Sequence, residues 1–176
     1  MTYNFRGSSG NLVLLSSQTA SNSATLPFIT GITGFDAYYF LYYGVTVAST
    51  STIWLQLSTN GGSSYNTTTY DCWNVVSYNG GIVQGLAGAT SGLVIVNGGE
   101  ASATIPSSGH AQLFNFHNTS FVKQCVSSCS TILGGANSTQ SNASHWTTTT
   151  SVNAFQVIAS VGNILTGTFK LYGIQN

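Results

Sequence analysis

The chain has 176 residues, and only six of them carry a fixed charge: Arg6, Lys123 and Lys170 against Asp36, Asp71 and Glu100. An ordinary soluble domain spends about a quarter of its residues on charge; here 25 Ser, 23 Thr and 15 Asn do the polar work. Three scattered cations cannot neutralise a run of phosphates, and three isolated carboxylates leave little material for acid–base chemistry or a hard-cation site.

Helix signals are almost absent, because Glu, Lys, Arg and Met are so few and no stretch holds a 3.6-residue period. Strand signals begin at Leu12–Ser16 and continue at Ala24–Ile29, where Pro27 points to an edge. Asp36–Val47 reads as a long strand, with Tyr38, Phe40 and Tyr42 on one face. The other face holds Tyr39, Leu41, Tyr43, Val45 and Val47. Apolar residues on both faces fit a central strand, or one whose outer face meets another subunit. Ser51–Thr59 alternates, with Ile53, Leu55 and Leu57 inward and Trp54, Gln56 and Ser58 outward.

Asn60-Gly61-Gly62-Ser63-Ser64 predicts a hairpin turn onto Tyr65–Val76. The Gly-rich stretch Asn79–Gly99 reads as loop around one apolar patch, Leu93–Val96. Further strands are expected near Ala101–Ile105, His110–Asn115, Phe121–Ser130 and His145–Val152, with Gly134–Ser144 as a flexible connection. Ala154–Ser160 and Thr168–Tyr172, joined through Gly162–Gly167, form the closing pair. About ten short strands with Gly/Asn turns predict an all-β chain folded as a single antiparallel sandwich. Residues 11–176 form that domain and residues 1–10 a short N-terminal arm.

No apolar run approaches the roughly 18 residues of a membrane helix, so no membrane partner is expected. The start, Met1-Thr2-Tyr3-Asn4-Phe5-Arg6, lacks a basic segment followed by an apolar one, which predicts synthesis and folding in a cytoplasm. The sequons at Asn66, Asn118, Asn137 and Asn142 are what chance supplies in a chain so rich in Asn, Ser and Thr.

Cys125 and Cys129 are four residues apart, about 13 Å along one face of a strand, too far for one metal ion or one disulfide. With Cys72 they read as small buried thiols, and no metal or cofactor is expected. His110 and His117 stand beside no carboxylate in sequence, and no G-x-S-x-G elbow frames a serine, so no catalytic residue is assigned and the chain reads as a non-enzyme. Tyr65, Tyr70, Trp73 and Tyr78 are a denser aromatic cluster, with Asp71, Asn74 and Asn79 among them. Such residues pack strands together, and they also have the composition of a carbohydrate site. A neutral chain with so few charges to repel its copies is prone to associate with itself.

Three stretches resemble small structural proteins of tailed bacteriophages: Leu12–Ser21, Phe35–Tyr39 and Leu55–Tyr65. The ending Gly167-Thr168-Phe169-Lys170-Leu171-Tyr172-Gly173-Ile174 is similar too. The resemblance implies a jelly-roll sandwich on the virion, generally a homotrimer, serving as capsid decoration (cement) protein, head fibre or receptor-binding tip of a tail fibre. A fibre tip needs an anchoring region upstream, and the strand pattern begins by Leu12, which favours a decoration subunit bound to the major capsid protein. Tyr3, Phe5 and Arg6 in the arm are the candidate capsid contacts. Under the alternative, a host-surface glycan would meet Tyr65, Tyr70, Trp73 and Tyr78. The stretch from Val75 to Gly99 carries none of the resemblance.

Overall fold

A computed structural model describes residues 12–29, 32–78, 81–133 and 136–174, with backbone alone at 78, 83–87, 89, 98–101 and 133. Every regular element among them is a strand. In chain order these are β1 (Leu12–Thr19), β2 (Leu26–Phe28), β3 (Ala37–Val47), β4 (Ser51–Ser58), β5 (Tyr70–Tyr78) and β6 (Gly81–Thr90). They continue as β7 (Leu93–Ala101), β8 (Ser107–Phe114), β9 (Lys123–Leu133), β10 (Ala136–Trp146), β11 (Ala154–Ala159) and β12 (Ile164–Ile174).

Two antiparallel sheets form a sandwich. One has eight strands in the order β1-β12-β3-β8-β9-β10-β5-β6, the other four in the order β2-β11-β4-β7. If the hairpins β5–β6 and β9–β10 are set aside, the remaining eight strands interleave. The order β1-β12-β3-β8 then faces β2-β11-β4-β7, and nearly every connection crosses from one sheet to the other. The two hairpins both extend the first sheet beyond β8.

The core is aromatic. Phe28 stacks on Phe155 at 4.9 Å between centroids, and Phe40 stands edge-on to both at 5.3 and 5.4 Å. Each such ring, fully removed from water, contributes about 1.5–3 kcal/mol, with about 0.5–1.5 kcal/mol more for an edge-on pair. Tyr42 lies in the same layer, and its hydroxyl donates to Ile95 O across the sandwich at 2.7 Å.

The inward row of β4, Ile53, Leu55 and Leu57, is fully buried as the alternation requires. Gln56 and Ser58, expected to face water, are buried as well. Gln56 donates to Ser91 O and accepts from Gln156 Nε2, while Ser58 Oγ accepts from the Gly62 and Asn60 backbone, so flanking loops and β11 cover this face. In β3, Val45 and Val47 are buried, not outward with Tyr39 and Tyr43. Gly44 at φ +65° supplies the reason. The register shifts between Tyr42 and Val45, and this bulge inverts the alternation for the last three residues.

Among the described residues there are twelve strands rather than about ten. The 79–99 stretch is not a loop but contains β6 and most of β7, and the expected connection 134–144 is largely β10. Residues 101–105 and 147–152 are almost entirely irregular. Neither expected hairpin forms: β4 and β5 lie in different sheets, as do β11 and β12. Side-chain alternation shows which face of a strand is buried but not which sheet the strand joins.

One device explains the unusual polarity of β9 and β10. The edge of β7 not paired with β4 lies over their inner face. Val94 N donates to Ser144 Oγ, Ser127 Oγ donates to Val94 O, and Asn97 N donates to Gln140 Oε1 at 2.8 Å. Buried Ser and Gln side chains thus take the place of a neighbouring strand, satisfying backbone groups that would otherwise be costly to bury.

Candidate binding face

The two hairpin insertions give the eight-stranded sheet a broad outer face, and the register places its side chains in cross-strand rows. One row runs Gln112, Val126, Ala143 and Trp73 over β8, β9, β10 and β5. The next, toward one end of the strands, is Phe114, Gln124, His145 and Asp71. On the other side lie His110, Ser128, Ser141 and Val75. Rows on one face are about 6.8 Å apart, two strand residues.

Trp73 is 67 % exposed, and Val126 and Val75 are 49 % and 46 % exposed. The small Ala143 between Trp73 and Val126 leaves a groove of about 260 Å³ that also touches Ser141 and Val75. A second depression, of about 270 Å³, shares Trp73, Val126 and Ala143 and is walled by Phe114, Gln124 and His145. His145 Nε2 lies 3.6 Å from Asp71 Oδ2 at its rim. On β3, Tyr39, opposite Gln112 in the Trp73 row, stacks on His110 of the next row with centroids 5.4 Å apart. The arrangement is a narrow apolar strip between rows of hydroxyl, amide and imidazole groups.

Tyr65, Tyr70 and Trp73, three of the four aromatics expected to act together, do not converge. Tyr70 is fully buried and corrects the expectation that it contacts a ligand. Its ring stacks on Trp146 at 5.5 Å, its hydroxyl accepts from Leu57 N at 2.9 Å, and burial pushes its pKa up. Residues 70 and 73 differ in parity along one strand, so one faces the core and the other faces out. Tyr65 is half-buried at a separate small cavity bounded by Ser64, Asn66 and Trp146. The Tyr78 side chain lies outside the described residues, and so do Tyr3, Phe5 and Arg6 of the arm. Of the cluster's described aromatic side chains, Trp73 alone stands on the outer face. Its neighbours Val126, Ala143 and His145 had no signal in the sequence, since they meet it only through pairing of β5, β10 and β9.

A second polar cluster lies beside the ends of β3 and β8, where Phe35, Asp36, Asn115, His117 and Asn118 line a pocket. The Tyr38 hydroxyl and His117 Nε2 are 2.6 Å apart, and His117 Nδ1 is 3.4 Å from Ser151 Oγ. Burial lowers the His117 pKa, helped by Lys123 nearby, and raises that of Tyr38 to about 12. Lys123 itself is buried, with Nζ donating to the Asn118, Phe121 and Thr149 carbonyls, and burial lowers its pKa. These contacts tie the 115–122 loop to the 147–152 segment; they brace one end of the sandwich.

The three cysteines are buried, Cys129 Sγ donating to Gln140 Oε1, and burial raises the pKa of Cys72 and Cys125. Among the described residues no group of three His, Cys, Asp or Glu side chains is placed to hold a metal ion. No protein-family model, no curated protein and no solved structure matches the chain.

Proposed function

We propose that the chain is a non-enzymatic structural protein of a tailed-bacteriophage virion, a decoration subunit that sits on the outer capsid as a homotrimer. The observation that supports this most is the interleaved order β1-β12-β3-β8 over β2-β11-β4-β7. That order is the one expected of a jelly roll, a fold common in viral capsid proteins. The composition is consistent with it: a chain with three cations and three anions has little charge to keep copies apart. In this reading residues 1–10 form the anchor. Arg6 pairs with a carboxylate of the major capsid protein, and Tyr3 and Phe5 fill apolar pockets.

The experiment uses the full chain and a variant lacking residues 2–10. Light scattering gives a trimer for both, little changed between low and high salt, because few charged contacts are available to screen. Co-sedimentation with empty capsids is saturable for the full chain and lost for the variant. A monomer at micromolar concentration counts against the oligomer, and capsid binding by the truncated chain counts against the arm.

The second reading is a receptor-binding tip of a tail or head fibre. The groove beside the exposed Trp73 is the observation that favours it.

A further inference from the structure

We infer that the groove beside Trp73 binds an uncharged oligosaccharide, laid across β9, β10 and β5 with one sugar ring against the indole. The inference rests on the outer face of the eight-stranded sheet remaining free on the particle, and it holds under either placement on the virion.

The width of the strip is the first argument. A stable protein–protein contact takes about 800 Å² and 20–30 residues from each partner. Here the groove's apolar lining is four side chains, Trp73, Val75, Val126 and Ala143, with Ser141 on one side and Gln124 and His145 on the other. That lining is one to two side-chain rows wide, far smaller than such a contact and a match for a pyranose ring. A sugar presents C–H groups on its faces and hydroxyls around its rim. The C–H face meets the electron-rich face of an indole, as aromatic edges do.

The flanking rows supply the rim. Gln124, His145 and Asp71 lie on one side and Ser141 on the other, about 6.8 Å from the Trp73 row. Together they offer both donors and acceptors, as hydroxyls require. Three strands about 4.8 Å apart give the strip a length of about 10 Å, room for two linked rings. Gln112 and then Tyr39 continue the same row over β8 and β3, which extends the track for a longer chain.

Charge selects the class of sugar. Among the described residues the outer face from β8 to β5 carries no Lys or Arg, since Lys123 points inward and is buried. Its one carboxylate, Asp71, is beside His145. A sulfated, phosphorylated or sialylated glycan would find no cation here, whereas a neutral one leaves no charge unpaired.

The test titrates the full-length chain with tetramers of α-linked glucose, β-linked glucose, galactose and N-acetylglucosamine, read by tryptophan emission and calorimetry. At least one tetramer binds and shifts the emission. Trp73→Ala weakens binding about tenfold or more, the loss expected for truncating a central aromatic contact. Ala143→Tyr keeps Trp73, fills the groove and weakens binding comparably. Both sites are on the surface, so unchanged circular dichroism and melting show that the fold is intact.

The inference is overturned if no tetramer binds at about 10 mM, well above a weak Kd of about 1 mM. It is overturned equally if Trp73→Ala binds as the parent does, or if the two variants dissociate the oligomer, which would make the face a contact between copies. Capsid co-sedimentation of the same variants separates the two proposals. If they still decorate particles, loss of glycan binding says nothing against the capsid role.

Discussion

Gly109 of β8 is a position where one methyl group tests the close approach of three strands. A Cβ built there would lie 2.3 Å from Ser128 O of β9, 2.6 Å from the Tyr42 hydroxyl of β3 and 2.7 Å from Cys129 Cβ. Real Cβ atoms essentially never approach anything closer than 3.0 Å. The tightest contact is to backbone, so β8 and β9 must separate. The Tyr42 ring cannot swing aside either, because it lies fully buried between Phe40 and Phe169. Overpacking of this kind costs about 1–3 kcal/mol. Displacing the Tyr42 hydroxyl also breaks its bond to Ile95 O and leaves a buried acceptor, for about 1–3 kcal/mol more. Gly109→Ala therefore destabilises by about 2–6 kcal/mol, a large share of the 5–15 kcal/mol of a typical domain. Urea unfolding measures it as a fall in midpoint at unchanged slope. Tyr42→Phe alone costs about 1–3 kcal/mol through the lost bond. Because it removes one of the obstacles, the double variant is less destabilised than the sum of the singles. A Gly109→Ala protein within about 0.5 kcal/mol of the parent, the range of neutral surface changes, would refute the packing. Strict additivity would show that the hydroxyl and the new methyl do not meet.

Lys123→Met keeps the side chain's volume but leaves the Asn118, Phe121 and Thr149 carbonyls without their common donor. At about 1–3 kcal/mol per orphaned acceptor, lessened by water at this rim, thermal or urea unfolding should show a loss of about 2–4 kcal/mol. His117 is held neutral, its folded pKa below the ordinary 6.5, so the unfolded chain binds its proton more readily. Stability is then full above about pH 6.5 and falls as the pH drops toward the folded value. His117→Gln should flatten that part of the profile, and an unchanged slope would show that another group causes it. Cys72, Cys125 and Cys129 are buried, with the first and second shifted away from thiolate. Mass spectrometry after iodoacetamide at neutral pH should find all three unmodified in the native chain and modified in denaturant; prompt native labelling would contradict their burial.

The strand-only class and the single sandwich were legible because alternating apolar residues recur while helix formers are scarce. The row Ile53/Leu55/Leu57 was read on the correct, buried face, and Tyr38/Phe40/Tyr42 were read on one common face, which is the buried one. Three features were hidden for physical reasons. In β10 the inward residues Ser138, Gln140, Asn142 and Ser144 are as polar as the outward ones, because that face meets the backbone edge of β7 rather than an apolar layer. Glycine at seven of the 21 positions 79–99 masked β6 and β7. The phase change at Gly44 follows from its left-handed backbone, which a strict period of two does not foresee. The candidate face was half visible. Trp73 stood out as an aromatic, but its partners belong to strands distant in sequence, and parity separated it from Tyr70.

The central claim, a decoration subunit on the capsid, is tested most directly by counting copies. If a phage genome encodes the chain, as proposed, quantitative mass spectrometry of its purified virions compares the chain's abundance with that of the major capsid protein. The account predicts a number of copies that scales with the capsomers of the shell. A handful of copies per particle would place the chain on a tail or fibre, and absence from the virion would contradict the account altogether.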